Sequence, residues 1–264
     1  MVVIKKNIVY DHTFNLQTDI YFPNETGRQT KILLLWHGGS WLRGSKNEEK
    51  RLGVRLANAG FMTLVPDYSL APTAIFPAAH QDSIHFVEWL LASKYTDAED
   101  AKNIVQLGIS CGGTMALYVA GQYGFPTVTW SAPVSFSKWL AQHPDIRPSS
   151  QPKEELGLTD STQIKASFYK NFVLSYAPTK QAQEELDAEN YDYTKLGHLL
   201  MLNSTQELTP LADVLAFAKK LATKGHELNL LLIPGTRHGR HYGDDYIDES
   251  IDFLKRSDSH PLVR

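Results

Sequence analysis

Ser110 stands between Gly108 and Gly112, where an apolar run changes into a pattern typical of a helix. A Gly-x-Ser-x-Gly spacing permits a sharp turn between a strand and a helix, because side chains flanking the serine would collide there. The turn directs the hydroxyl into open space, and the helix N-terminus behind it favours developing negative charge. The pattern therefore predicts a nucleophilic serine. The alternative is a glycine-rich turn without chemistry, which the motifs described below make less favoured.

Cys111 follows this serine and is the only cysteine of the chain, so no intrachain disulfide can form. Its thiol is a second candidate nucleophile. In the expected turn, however, the Cys111 side chain points into the helix, while its backbone N–H faces the reaction centre of Ser110. We therefore expect Cys111 to contribute a backbone donor and not a thiolate.

A second motif, HGGSW, directly follows the apolar run KILLLW. A glycine pair after a strand lets the backbone turn its N–H groups towards a ligand, and two such donors on one oxygen form an oxyanion hole. We expect Gly39 and Ser40 to be donors together with Cys111, and Gly38 to form the turn. Trp41, at the end of the motif, is expected to contact the substrate. The alternative is an ordinary turn between a strand and a helix.

The candidate general base is a histidine in the segment PGTRHGRHYG, which follows the last apolar run. His238 lies in the loop after that run and can reach back to the serine turn. His241 is the competitor, and we expect it to lie already in the terminal helix. His37 precedes the oxyanion loop and is expected to brace it. A metal site built on His238 and His241 lacks the spaced carboxylate or cysteine partners that it would need.

Short apolar runs, alternating with helical patterns, must position these residues. Continuous hydrophobicity over so few residues is typical of strands covered on both faces. Six such strands are predicted at residues 31–37, 61–67, 103–110, 125–131, 198–203 and 228–234. Apolar spacings predict helices around residues 52–59, 84–91, 211–218 and 247–254. The alternation indicates a parallel α/β sheet, and the more polar runs at 2–10 and 17–22 suggest an antiparallel edge.

The third of these helices carries its own boundary signals. Thr209 is predicted as its N-cap and Pro210 as its first residue, and Gly225 is predicted to end it. Residues 133–197, by contrast, show no clear strand. A segment of that length is too long for an ordinary connection. We expect a cap-like insertion over the carboxyl edge of the sheet, within a single domain that covers residues 1–264.

Together these motifs resemble the α/β-hydrolase superfamily, and within it the small esterases with an HGG motif, such as carboxylesterases, acetyl-xylan-type esterases and arylformamidases. The resemblance spans roughly residues 30–255 apart from the insertion. It rests on HGGSW, GISCGG, PGTRHG and PDYSLAPTAIFPAAHQD, where Ser69 replaces an arginine of the family pattern. The resemblance implies a mostly parallel central sheet with helices on both faces. It also implies a serine esterase of small carboxylic esters that works through an acyl-enzyme, without a metal or organic cofactor.

The acid of the catalytic triad departs from the pattern of that family, which places an aspartate four residues before a proline. Counted from Pro210, that position is Gln206, whose amide cannot carry the charge that stabilises an imidazolium. Glu207, next to it, is a carboxylate with one more methylene, and we expect it to serve as the acid. Asp213 is less suited because it should lie one turn inside the helix. If neither serves, the chain is a weakened dyad or a non-catalytic ligand-binding relative.

The composition limits the range of partners. The chain has 264 residues, a formal net charge of −3 and 42% hydrophobic residues, which gives no electrostatic reason to expect nucleic acid or a membrane as partner. The N-terminal segment lacks the apolar core of a signal peptide, so a cytoplasmic protein acting on a small-molecule ester is expected. The sequence leaves a homodimer open. It also leaves open cleavage of a C–N bond by the same residues, as in an arylformamidase or a peptidase.

Overall fold

A computed structural model describes residues 2–25 and 30–257. The strands are β1 (Val3–Asp11), β2 (Leu16–Phe22), β3 (Ile32–Trp36), β4 (Met62–Pro66), β5 (Ile104–Ile109), β6 (Thr127–Trp130), β7 (Leu199–Ser204) and β8 (Leu228–Ile233). They form one sheet in the order β1-β2-β4-β3-β5-β6-β7-β8. β2 pairs antiparallel with β1 and β4, and every later pairing is parallel. The predicted parallel sheet with an antiparallel edge is therefore confirmed.

The α-helices of the described residues are α1 (Lys50–Asn58), α2 (Ala78–Ala92), α3 (Cys111–Tyr123), α4 (Ser137–Gln142), α5 (Pro152–Leu156), α6 (Ser161–Tyr176), α7 (Lys180–Leu186), α8 (Leu211–Thr223), α9 (Arg240–Gly243) and α10 (Ile247–Arg256). Short 3-10 segments occur at Lys46–Glu49, Asp100–Asn103 and Ala188–Asn190. In the described part of the chain, no helix is long and apolar enough to span a membrane.

The start of α8 corrects one prediction. Pro210 is its N-cap, one residue later than expected, and Thr209 caps nothing. The Thr209 hydroxyl instead donates to the carbonyl oxygen of Ser131 at 2.9 Å. The Thr209 side chain thus makes a tertiary hydrogen bond, whereas the local pattern predicts that it caps the helix. The predicted end is confirmed, since Gly225 follows the helix with φ +86°.

The core lies on both faces of the sheet, as the side chains of β3 show. All five residues of β3 are buried, and alternate side chains point to opposite faces. Leu33 and Leu35 pack in a layer with residues of α1 and α10. Leu34 and Trp36 pack on the other face with residues of α2, α3 and α6. The expected helices on both faces of the sheet are thus confirmed.

The segment between β6 and β7 is helical throughout its regular parts and contains α4 to α7. Its two ends are joined at Asp187, whose carboxylate accepts hydrogen bonds from the N–H groups of Phe136 and Ser137 at 2.5 and 3.1 Å. α6 extends over the carboxyl ends of the strands, where the Lys165 ammonium donates to the carbonyl oxygen of Gln206 at 2.6 Å. The inserted helices therefore contact the loops that follow the strands.

Candidate active site

Ser110 lies at the turn between β5 and α3 with φ 52° and ψ −125°. A non-glycine residue in such a conformation costs about 1–3 kcal/mol. The flanking glycines are required by packing. A Cβ on Gly108 would lie 2.4 Å from the Gly112 carbonyl oxygen, and one on Gly112 would lie 2.4 Å from backbone oxygens of Trp36 and His37. Side chains at these two positions would therefore collide with the backbone, as the motif predicts.

The loops after β7 and β8 bring two further predicted residues to this serine. His238 Nε2 lies 2.9 Å from Ser110 Oγ, and His238 Nδ1 is hydrogen-bonded to Oε2 of Glu207. The other carboxylate oxygen of Glu207 accepts the N–H of Ser204 at 2.6 Å. The Glu207 side chain is fully buried, whereas His238 is 24% exposed. Parallel strands end at one edge of the sheet, which explains how residues so far apart in sequence meet.

The competing candidates do not reach His238. Gln206 is exposed, and its backbone groups bond to Gly235 and Lys165. Asp213 lies in the first turn of α8, and the histidine among its charged neighbours is His143, not His238. His241 is exposed and lies in α9, a separate short helix and not the terminal one, which corrects the prediction for that residue.

The backbone of the HGGSW loop passes beside the serine. A Cβ added to Gly38 would lie 3.4 Å from the Ser110 Cβ, and Gly39 has φ +125°. In the described part of the chain, no acceptor takes the N–H groups of Gly38, Gly39 or Cys111. Among the described residues the N–H of Ser40 likewise has no acceptor, although it lies near the Cys111 sulfur. Gly39, Ser40 and Cys111 therefore stay the candidate oxyanion donors, and Gly38 joins them.

The Cys111 thiol is fully buried. Burial raises the pKa of this thiol, although the contact with the Tyr68 hydroxyl, 3.6 Å from the sulfur, and nearby backbone N–H groups act in the opposite direction. A thiol with a raised pKa is a poor nucleophile. The arrangement suits the backbone role expected for Cys111.

Trp41 does not line the cleft, so the prediction that it contacts the substrate is wrong. Its side chain is completely buried and stacks on Tyr176 of α6, with ring centroids 4.4 Å apart. Phe136 and Phe172 pack around it. The reason is a tertiary one, because the aromatic side chains of α6 enclose the indole.

His37 is buried and stacks on Tyr68 at 4.0 Å between ring centroids. Its Nδ1 lies 2.7 Å from the carbonyl oxygen of Gly38, and the Tyr68 hydroxyl donates to the His37 carbonyl oxygen at 2.8 Å. Burial lowers the pKa of His37 to about 4. A neutral ring in this position braces the loop, in line with the role expected for it.

The cleft above Ser110 has a volume of about 230 Å³. Its apolar lining residues are Ile109, Phe168 and Leu208, and the rest of the lining includes a charged wall. The charged or basic side chains that line it are Arg43, Glu48, Glu49, Arg240 and His241. Phe168 belongs to the aromatic stretch SFYKNF, and the sequence predicts that some aromatic side chains of this region face the cleft and restrict ester size. The charged wall was missed, because no local pattern marks its residues.

Glu49 is the unusual member of the charged wall because it is buried. Its Oε1 lies 3.3 Å from Arg240 Nη1, while its Oε2 has no hydrogen-bond partner among the described residues. Burial raises the pKa of Glu49 to about 7, against the opposing charge of Arg240.

Among the described residues, no group of three or more His, Cys, Asp or Glu side chains is arranged to hold a metal ion.

Comparison with known proteins places the chain among hydrolases. A family model described as the alpha/beta hydrolase fold matches residues 33–242. An ethyl acetate hydrolase of Pseudomonas putida is 25% identical over 214 residues, covering 78% of this chain and 64% of that protein. Tuliposide A-converting enzyme 2 of Tulipa gesneriana is 28% identical over 132 residues, covering 45% of this chain and 35% of that protein. The chain thus spans less than two thirds of the length of these curated relatives.

Solved structures show the same architecture. An esterase of the archaeon Pyrobaculum calidifontis superposes with a TM-score of 0.75 at 21% identity, covering 97% of this chain and 83% of that one. An esterase from the bacterial hormone-sensitive lipase family gives a TM-score of 0.72 at 21% identity, with coverages of 97% and 84%. At these identities the similarity supports a fold shared with these structures.

Proposed function

Because this chain belongs to the α/β-hydrolase fold family, we propose that it is a serine esterase of small carboxylic esters. The observation that carries the proposal is the continuous hydrogen-bonded series from Ser110 Oγ through the His238 ring to the buried carboxylate of Glu207. A serine hydroxyl is a weak nucleophile until an adjacent base accepts its proton, and a base is effective when a third group orients it. The ester specificity is supported by the ethyl acetate hydrolase among the relatives.

In the proposed reaction, Ser110 Oγ attacks the ester carbonyl carbon while its proton passes to His238 Nε2. The N–H groups of Gly39 and Cys111, together with Gly38 or Ser40, bind the oxyanion, each important donor contributing about 3–4 kcal/mol to transition-state stabilisation. The bond to the alcohol oxygen then breaks, and His238 returns its proton to that oxygen. Glu207 accepts the Nδ1–H and stabilises the charged ring.

An acyl-enzyme on Ser110 remains after the alcohol leaves. Water attacks its carbonyl carbon and gives a proton to His238, and the second tetrahedral intermediate collapses to release the acid and regenerate the serine hydroxyl. Every proton in this sequence is carried by His238, so the steps require no metal or organic cofactor.

The cleft supports a preference for small esters. Phe168 and Leu208 offer an apolar surface of limited extent on one side of Ser110, within a volume of about 230 Å³. Specific pockets usually enclose most of their ligand, and pockets for drug-sized ligands are of about 300–1,000 Å³. We therefore propose short acyl chains as substrates.

The test is a series of p-nitrophenyl esters from acetate to octanoate, assayed with the wild-type protein and with Ser110→Ala. We expect hydrolysis of the shortest esters, and a loss of about a million-fold in Ser110→Ala with an unchanged circular dichroism spectrum. A fluorophosphonate probe should label Ser110 alone. Residual turnover above about a hundredth of wild type would reject the nucleophile.

Two other outcomes discriminate the alternatives. Labelling of Ser110 with turnover only on N-formyl aryl amines would assign the protein to C–N bond cleavage. A folded protein whose Ser110 is not labelled would assign it to non-catalytic binding.

A further inference from the structure

We propose that Ser131 is a positioning residue for His238, acting through a buried series of hydrogen bonds; this inference rests on the proposed function. Ser131 directly follows β6, is completely buried and has φ 57°. Its N–H donates to the Leu202 carbonyl oxygen at 2.8 Å. Its own carbonyl oxygen accepts the Thr209 hydroxyl at 2.9 Å. The backbone of Ser131 is therefore hydrogen-bonded to Leu202 and Thr209, which precede and follow Glu207 in the chain.

The Ser131 side chain connects to the histidine loop. The N–H of Gly239, the residue after His238, donates to Ser131 Oγ at 2.8 Å. The Tyr242 hydroxyl donates its single proton to the Leu202 carbonyl oxygen at 2.8 Å. The Ser131 hydroxyl proton is therefore left for the Tyr242 oxygen, which lies 2.8 Å away. Each proton has one acceptor, so the direction of every bond in the series is determined.

The main chain at His238 is held on both sides, and this series is its buried anchor. Residues 234–237, which precede His238, are exposed and are hydrogen-bonded to the loop after β7 through Gly235. Gly239 and Tyr242 are buried, and the bond from Gly239 to Ser131 is the anchor next to His238 in the chain. Without the Ser131 hydroxyl, the Gly239 N–H would be left buried and unsatisfied, which favours displacement of the loop. A displacement of about 1 Å at a catalytic group can cost about a hundredfold in rate.

The test compares Ser131→Ala with Ser83→Ala. Ser83 is a matched control because it is equally buried and its hydroxyl donates to a carbonyl oxygen, that of His80, at 2.6 Å within α2. We expect Ser131→Ala to lower kcat by about ten- to a hundredfold with KM changed by less than about threefold. Ser83→Ala should keep kcat within about twofold of wild type.

A second measurement follows the His238 Nδ1 proton, which is hydrogen-bonded to Glu207, by proton NMR, assigned by its loss in His238→Gln. Its signal should broaden through exchange with water in Ser131→Ala and stay unchanged in Ser83→Ala. The NMR readout does not depend on activity. If the wild-type protein hydrolyses no ester, the proposed function fails, while the signal still decides the role of Ser131.

Where the wild-type protein hydrolyses an ester, both changes are required; where it does not, the proton signal decides. An unaltered kcat, an unaltered proton signal, or an equal loss of kcat in the two variants would overturn the proposal. If Ser131→Ala does not fold, Tyr242→Phe replaces it. That variant keeps the bond from Gly239 but removes the acceptor of the Ser131 proton, so a loss of about two- to tenfold in kcat and the same broadening are expected. Wild-type behaviour in Tyr242→Phe would then overturn it.

Discussion

Single residues carry the proposed chemistry, and Glu207 is the one whose role depends most on geometry. It stands one position later in the loop than the family acid, and its additional methylene lets the carboxylate reach His238 Nδ1. The Ser204 N–H holds the second carboxylate oxygen, so the side chain is oriented at both oxygens. An exposed amide, Gln206, occupies the neighbouring position and bonds through its backbone.

Replacing Glu207 by Gln should lower kcat by about ten-thousandfold, because an amide can neither select the required tautomer nor stabilise the imidazolium. The fold should be retained, as the two side chains have nearly the same shape. Steady-state kinetics with p-nitrophenyl acetate and a thermal melt measure both effects. Gln206→Asp serves as the control and should change little. A silent Glu207→Gln together with an activating Gln206→Asp would show that the natural chain lacks its acid.

Alanine substitutions of His238 and His241 should differ clearly in their effect on activity. His238→Ala should lose nearly as much activity as Ser110→Ala, since the serine proton would have no acceptor. His241 is exposed, and its hydrogen bonds within residues 2–25 and 30–257 use backbone atoms, so His241→Ala should change kcat/KM by less than about tenfold. The comparison requires kcat/KM for both variants under one set of conditions. Reversed results would transfer the base role to His241.

At the scale of elements, the HGGSW loop after β3 packs against helix α6, which lies between β6 and β7. Trp41, two residues beyond Gly39, stacks on Tyr176, and the Tyr176 carbonyl oxygen accepts the N–H of Phe76 at 2.8 Å. The Tyr176 hydroxyl in turn lies 3.0 Å from His80 Nδ1. The inserted helix is thus bonded to the core directly behind the loop.

Trp41 should therefore affect stability more than substrate affinity. Trp41→Ala removes a buried indole and should cost about 3–5 kcal/mol of unfolding free energy. Trp41→Phe, the milder control, retains much of the stacking and should leave KM for short esters within about twofold of wild type. Urea denaturation and steady-state kinetics give the two quantities. If Trp41→Phe is stable but its KM rises more than about tenfold, Trp41 contacts the substrate after all.

At the scale of the whole molecule, buried charge makes stability depend on pH. The net charge is only −3, so general repulsion is small and individual buried groups dominate. Glu49 has a folded-state pKa of about 7 against an ordinary value of 4.5. Between these values the folded protein binds more protons than the unfolded chain. The stability contributed by protonated Glu49 is therefore fully present below about pH 4.5 and is lost as the pH rises through about 7.

Glu49→Gln removes this dependence, because an amide does not titrate. We expect the melting temperature of the wild-type protein to fall relative to that of Glu49→Gln as the pH rises from 5 to 8. The fall should occur over the pH range between the two pKa values. Thermal melts across this range measure the difference. Glu48→Gln changes the exposed neighbour and should follow the wild type. Parallel curves for wild type and Glu49→Gln would show that Glu49 is ionised throughout.

What the sequence by itself determined is local. Strand and helix periods, and the collision of side chains around Ser110, depend on neighbours a few residues away, so the sheet and the serine turn could be predicted. His238 and Glu207 were identified with the help of the loop order that the resemblance implied. Only the tertiary structure decided which carboxylate meets the histidine ring.

Tertiary structure also decided where Trp41 and Thr209 point. The Trp41 ring is buried against α6, and the Thr209 hydroxyl bonds to Ser131. Each of these partners lies far along the chain. A local pattern specifies backbone conformation, whereas the direction of a side chain or N–H depends on which distant group removes the cost of leaving it buried and unpaired.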